Sequence, residues 1–173
     1  MVHVGIGYDV HALVEGESLI IGGVTIPHTK GLKGHSDADV LLHAICDAVL
    51  GAIGERDIGQ FFPDTDPRWK GVESKVFLEE ARRQVGFHKG TIVNVDSTII
   101  AQEPKLNPHV LEMGRNIAEA LGLSPDRVGV NRIRPCCRLG DRSRLRCHGA
   151  FRCCRHYPAS SQGGYQCTVG FTE

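Results

Sequence analysis

Asp9, His11 and His43 are the residues of this 173-residue chain whose types best suit a divalent metal. Asp9 and His11 are two apart at the end of a predicted strand, so both side chains can point the same way. His43 falls on a predicted helix. One carboxylate and two imidazoles make a good zinc set, and three protein ligands leave the fourth tetrahedral position for water or substrate. An Asp-x-His pair alone also fits a cap or a surface pair, and a lone histidine also fits a satisfied polar residue. The neighbouring segments therefore carry the weight.

His35-Ser36-Asp37-Ala38-Asp39 places a hydroxyl and backbone N–H groups at the predicted start of that helix. The dipole and unpaired donors of a helix N-terminus favour phosphate. His35 could donate to a phosphate oxygen as charge develops. The plain alternative is a capped helix with a solvated acidic first turn. Gln102-Glu103-Pro104-Lys105 follows a predicted strand, where Lys105 could pair with phosphate and the backbone could read a base edge. Asp57-Ile58-Gly59 and Phe62-Pro63-Asp64-Thr65-Asp66 offer carboxylates for sugar hydroxyls on a proline-stiffened loop. In isolation each reads first as a surface turn or a solvated acidic loop, and they gain weight only together.

The elements that must position these groups alternate between strand and helix. Val2 to Tyr8 reads as a first strand, with β-branched and aromatic residues spaced by Gly5 and Gly7. Ser18 to Ile21 and Val24 to Ile26 flank Gly22-Gly23 as a hairpin or bulge closed by Pro27. The apolar repeat of Val40, Ala44, Ala48 and Ala52 predicts a helix from about Ser36 to Ile53, capped by Ser36 or Asp37. Asp39, His43 and Asp47 would share one stripe of it. A loop over 59–67 is followed by a helix from Ser74 to Val85 stopped by Gly86. Thr91 to Ala101 reads as a strand, Pro108 to Leu121 as a helix ending at Gly122, and Val128 as the start of another strand. The pattern predicts an α+β two-layer sandwich, a mixed sheet with helices on one face.

Composition narrows the function classes. No apolar run approaches the ~20 residues needed to span a bilayer, and no leader pattern opens the chain, so a soluble cytoplasmic protein with no membrane partner is expected. The zero net charge hides a split: residues 1–130 carry 12 basic and 18 acidic groups, whereas 131–173 carry 8 arginines against Asp141 and Glu173. The acidic body lacks the basic stripe of a nucleic-acid binder. Six of the seven cysteines also lie in the last stretch.

The ordered motifs resemble one family. Gly7-Tyr8-Asp9-Val10-His11, His35-Ser36-Asp37-Ala38-Asp39 with His43, Asp57-Ile58-Gly59, Phe62-Pro63-Asp64-Thr65-Asp66-Pro67, Asn94-Val95-Asp96 and Ala101-Gln102-Glu103-Pro104-Lys105 are similar to those of the 2-C-methyl-D-erythritol 2,4-cyclodiphosphate synthase family. The likeness spans residues 1 to about 130, with Ala38 standing where glycine is common. It implies conversion of 4-diphosphocytidyl-2-C-methyl-D-erythritol 2-phosphate to the cyclic diphosphate plus CMP, in non-mevalonate isoprenoid biosynthesis. It implies zinc or another divalent ion on Asp9, His11 and His43, and a second ion, magnesium or manganese, arriving with the substrate. It further implies His35 and Ser36 on phosphate, with His35 steadying the transition state. Asp57 and Gly59 would hold the erythritol hydroxyls with Phe62, Asp64 and Asp66 nearby, and Ala101 to Leu106, with Lys105, would line a cytidine pocket. The family pattern is a homotrimer with active sites between subunits.

After Val130 the family's Thr-rich loop, Glu and glycine-rich run do not appear; the chain reads Asn131-Arg132-Ile133-Arg134-Pro135-Cys136-Cys137-Arg138. Three readings compete for the tail. Cys136, Cys137, Cys147, His148, Cys153, Cys154 and His156 could bind metal, but adjacent cysteines are not the usual zinc spacing. A disulfide module disagrees with a reducing cytoplasm. The third reading, which we favour, is a shifted translation frame. Suitable codons for Arg138 to Ala150, read one nucleotide later, can encode Gly-Leu-Gly-Ile-Gly-Arg-Gly-Phe-Ala-Ala-Met-Ala, similar to the family's missing run and last helix. The domain reading is thus a family-like body over 1–130 and a divergent tail over 131–173. The alternative function is an inactive family member that binds metal and cytidine nucleotide without turnover.

Overall fold

The computed structural model describes residues 2–101 and 103–133, with the backbone of Val169–Gly170. Gln102 and the tail readings on 134–168 lie outside the described residues. Residues 13–32 fold as one hairpin nested in another. Strands β2 (Ile20–Ile21) and β3 (Val24–Thr25) pair antiparallel across Gly22 and Gly23. Both turn residues have positive φ, 61° and 69°, the left-handed pair that a tight hairpin needs. Around it, β1 (Leu13–Glu15) pairs with β4 (Lys30–Leu32), matching Leu13 to Leu32. This outer pair escapes sequence reading because three-residue strands, one containing Gly31, carry too little alternation to register.

Helix α1 (Val40–Ala52) is buried almost all round, by Val40, Leu41, Leu42, Ala44, Ile45, Cys46, Ala48, Val49 and Leu50. A helix apolar on every side belongs in a core. Only His43 and Asp47, one turn apart, interrupt its first three turns of burial. The helix starts at Val40 rather than Ser36, and Asp39 is its N-cap rather than Ser36 or Asp37. Ala38 sits at φ 58°, a left-handed conformation that a helix cannot pass through. Asp39 therefore turns into the helix end and leaves the stripe predicted for it with His43 and Asp47.

Three more helices complete the layer. The short α2 (Ile58–Phe61) occupies the start of the predicted loop. Helix α3 (Lys75–Phe87) buries Phe77, Leu78, Ala81 and Val85, and runs through Gly86 rather than stopping there. Asn107–His109 is a 3₁₀ turn, so the α-helical part of the next element, α4 (Val110–Leu121), begins two residues past Pro108. Its buried face is Met113, Gly114, Ile117, Ala118, Ala120 and Leu121.

The sheet is mixed, as expected, in the order β6-β5-β7. Strand β5 (Val95–Ile100) runs parallel to β6 (Val128–Ile133), pairing Val95 with Val128 and Ile100 with Ile133, and antiparallel to β7 (Val169–Gly170). Val95, Ser97 and Ile99 are buried while Asp96 is exposed, the period of two that one covered face imposes. Helices α1 and α4 pack on this sheet, with α3 against both. Residues 91–94 stay outside β5, shortening the predicted strand. The predicted strand over Val2 to Tyr8 does not form: the segment instead lies against α1, Gly5 at the Ala48 backbone and Gly7 at that of Ala44.

Candidate metal centre

Two glycines bring the first metal candidate to the second. A Cβ added at Gly5 would lie 1.9 Å from the Ala48 carbonyl oxygen, and one at Gly7 1.8 Å from that of Ala44. Only glycine permits this approach. The residues that alternate with them, Val4, Ile6 and Tyr8, stand exposed, so the segment presents its odd-numbered positions to α1. Asp9 continues that side and arrives beside His43.

One oxygen, Asp9 Oδ2, gathers both imidazoles: His11 Nε2 lies at 2.9 Å and His43 Nδ1 at 3.2 Å. The rings are 5.3 Å apart between centroids and tilted by 58°. The side chains are mostly buried, 25% exposed for Asp9, 14% for His11 and 15% for His43. Burial opposes charge on Asp9, but hydrogen bonds from His11 and His43 and their charge hold its carboxyl well below the usual carboxylate range. Burial likewise works to lower the His11 pKa, yet the hydrogen bond and charge of Asp9 lead the contributions that raise it above the ordinary imidazole value.

These residues fit a metal ion. One ligand atom from each lies within 4.8 Å of the others. Tetrahedral zinc with bonds of about 2.0–2.1 Å holds its ligand atoms roughly 3.3 Å apart, close to the spacing found around Asp9 Oδ2. The donor set, two nitrogens and a carboxylate oxygen, suits zinc in a site that keeps one position open.

The far edge of His43 is held too. Its Nε2 lies 2.8 Å from Ser74 Oγ and 3.1 Å from Ser36 Oγ. Ser74 Oγ donates to Asp37 Oδ1, and the Ser74 N–H reaches Asp37 Oδ2 at 3.0 Å. Asp39 is fully buried and accepts four backbone N–H bonds, from Gly22, Gly23, Leu41 and Leu42. It ties the inner hairpin to the start of α1. The free donors expected at this helix end are consequently taken: Leu41 and Leu42 by Asp39, Asp39 itself by Asp37, and Ala38 by Ser36 Oγ at 3.3 Å. His35 is half-buried, and its carbonyl accepts the Gly71 N–H at 2.9 Å. A Cβ at the adjacent Gly34 would meet His11 Cε1 at 3.1 Å, so this loop lies directly against the metal candidates.

The other predicted residues sit on linked elements. Asp47, one turn beyond His43, accepts the Ile58 N–H at 2.9 Å and so anchors Asp57 and Gly59 to α1. Phe62 packs on Trp69 and Phe77 at centroid distances of 4.9 and 4.4 Å, and Phe77 in turn lies 5.9 Å from the His43 ring. Asp64 is exposed, and Asp66 is paired with Arg68 at 2.6 Å. Ala101, Lys105 and Leu106 lie past the C-terminal end of β5, Ala101 and Leu106 buried and Lys105 exposed. The Ala101 N–H bonds the Ile133 carbonyl at 3.2 Å.

Sequence reasoning missed Ser74 and the inward role of Asp39. Ser74 reads only as a helix start, because nothing in sequence links it to a histidine 31 positions earlier. Asp39 had a legible signal, a capping residue type directly before the apolar run that starts at Val40, but Ser36 and Asp37 are capping types close by as well.

The YgbB family matches residues 2–134. A 2-C-methyl-D-erythritol 2,4-cyclodiphosphate synthase of Ralstonia pickettii is 60% identical over 129 residues, 75% of this chain and 77% of that protein. One from Dechloromonas aromatica is 58% identical over 127 residues, 73% of this chain and 79% of its own length. Among solved structures, a 2C-methyl-D-erythritol-2,4-cyclodiphosphate synthase in its CDP-bound form superposes with TM-score 0.77 at 32% identity, covering 97% of each chain. The IspF–CDP complex of Plasmodium falciparum gives 0.72 at 26% identity, over 99% of this chain and 94% of that one.

Proposed function

The chain belongs to the YgbB family of 2-C-methyl-D-erythritol 2,4-cyclodiphosphate synthases, and on that premise we propose how its residues serve the reaction. The activity is that of a phosphorus–oxygen lyase in isoprenoid biosynthesis. The substrate is 4-diphosphocytidyl-2-C-methyl-D-erythritol 2-phosphate. An oxygen of its 2-phosphate attacks the β-phosphorus, the bond from that phosphorus to the bridging oxygen breaks, and CMP leaves with the electron pair. The nucleophile belongs to the substrate, so the protein contributes position and charge neutralisation.

Asp9, His11 and His43 hold zinc or another divalent ion. The single observation that carries this is the convergence of both imidazoles on one carboxylate oxygen. When bound, the ion supplies Lewis-acid polarisation of a phosphoryl oxygen, and a second ion, magnesium or manganese, comes with the diphosphate. His35 and Ser36 contact phosphate from the loop lying on His11, with His35 placed to donate as charge develops. Asp57 and Gly59, fixed to α1 through Asp47, receive the erythritol hydroxyls, with Phe62, Asp64 and Asp66 alongside. Ala101, Lys105 and Leu106 line the cytidine pocket, a reading supported by the CDP-bound relatives.

The chain works as a cytoplasmic homotrimer. Among the described residues no helix is long and apolar enough to cross a membrane. Val2, Val4, Ile6, Tyr8 and Val10 form an exposed apolar row on the side away from α1, which association of subunits would cover.

A second reading, binding without turnover, has one observation in its favour. The family match ends at residue 134, and the Ralstonia relative aligns over 77% of its length, leaving the remainder of that protein unmatched. Incubation of the purified chain with the diphosphocytidyl substrate, Zn²⁺ and Mg²⁺, followed by phosphorus NMR, separates the two. Turnover gives CMP and the cyclic diphosphate in equal amounts. No CMP, with CMP still bound, favours the second reading.

A further inference from the structure

We propose that Ser74 is a positioning residue of the metal centre: with Asp37 it forces His43 into the tautomer whose Nδ1 lone pair faces Asp9. This rests on the metal reading above and extends it to a residue outside the ligand set. An ionised carboxylate only accepts hydrogen bonds. Asp37 takes both the N–H and the O–H of Ser74, so the hydroxyl proton is committed to Asp37. What Ser74 Oγ then offers His43, 2.8 Å away, is a lone pair, and Nε2 must carry the proton. Ser36 Oγ, at 3.1 Å, shares that proton and accepts from the Ala38 N–H. In the protonated ring Nδ1–H donates to Asp9; in the neutral ring Nδ1 is left bare, 3.2 Å from Asp9 Oδ2. Two lone pairs at that distance repel unless a cation lies between them, so the arrangement is pre-set for an ion.

Two features set Ser74 apart from an ordinary cap. It occupies the N-cap of α3, yet its side chain makes no capping bond to that helix. It is also completely buried. The hydroxyl is thus spent on the relay from Asp37 to His43 rather than on the helix. Partners that orient a ligating histidine typically change metal affinity about 10–100-fold when removed.

The test uses the full chain, ring-¹⁵N-labelled, zinc-free, at a pH above the imidazole range, and reads the His43 tautomer by long-range ¹H–¹⁵N NMR. Zinc affinity is measured separately by chelator competition. The wild-type ring should be Nε2–H. Ser74→Ala should mix the tautomers and weaken zinc about 10–100-fold, while Ser74→Thr, keeping the hydroxyl, should restore both. A wild-type ring protonated on Nδ1 overturns the proposal, and needs no variant to fold. Unchanged tautomer and zinc affinity in Ser74→Ala overturns it as well. If the wild type takes up no zinc, the metal reading fails, while the tautomer measurement still decides the role of Ser74.

Discussion

Gly7 lies so tightly against α1 that an added Cβ would stand 1.8 Å from the carbonyl oxygen of Ala44. Ala44 follows His43, and Gly7 precedes Asp9 by two residues. This backbone contact therefore sets the distance between two of the three metal ligands. Gly7→Ala must push the segment off the helix. Overpacking of this kind costs about 1–3 kcal/mol, and the obstacle here is backbone, which cannot swing aside. Thermal unfolding should show a melting temperature lower by several degrees, with zinc binding lost or much weaker. Wild-type stability together with wild-type zinc affinity would show that this contact does not position the site.

Asp39 joins two elements through four N–H bonds, from Gly22, Gly23, Leu41 and Leu42. Asp39→Ala strands four donors, each buried or partly so, where one unsatisfied group costs about 1–3 kcal/mol. A loss of at least about 3 kcal/mol is expected, larger than for removing an ordinary N-cap. Urea unfolding measures it directly. A loss under about 1 kcal/mol, the size of an ordinary cap, would mean that water replaces Asp39 at little cost.

The pH dependence follows from His11, whose pKa stands above the usual 6.5. In the zinc-free chain the stability from this proton is fully present below 6.5 and is lost as pH rises through the raised value. Zinc must displace the proton, so its apparent affinity moves the opposite way, rising with pH through that window and levelling above it. Asp9, held low, loses its contribution only as pH falls through the acid range below 3.8. Zinc titrations across a pH series check the sign. An affinity that is flat or falling as pH rises through this window would contradict the His11–Asp9 pairing.

Cys46 is fully buried, and its Sγ approaches the Phe77 carbonyl at 3.5 Å. Burial first, then the charges of Asp47 and Glu80, push its thiol far above the ordinary range. Because the thiolate is the reactive form, iodoacetamide should label Cys46 in denaturant and leave it unlabelled in the folded chain. Peptide mass spectrometry resolves it from the six other cysteines. Native-state labelling at the denatured rate would place Cys46 outside the core.

The metal ligands were legible because their chemistry is written in residue type, and the segment around them repeats a recognisable order. The helices were legible through their apolar repeats, since α1 and α4 owe their position to burial. Boundaries were less so. Ala38 adopts a left-handed conformation that its residue type does not announce, and this moved the cap from Ser36 or Asp37 to Asp39. The Val2 to Tyr8 segment has strand composition, but Gly5 and Gly7 let it pack on the backbone of α1 rather than pair in a sheet. Ser74 meets His43 only through the packing of α3 on α1, a long-range relationship with no local trace.

The most direct test of the central claim is the metal itself. Zinc bound to the purified chain should give one equivalent per chain, and its X-ray absorption spectrum should show two imidazole nitrogens and low-Z oxygen at about 2.0–2.1 Å. His43→Ala should abolish that stoichiometric binding. Zinc held through sulfur, or bound equally well by His43→Ala, would contradict a site built on Asp9, His11 and His43.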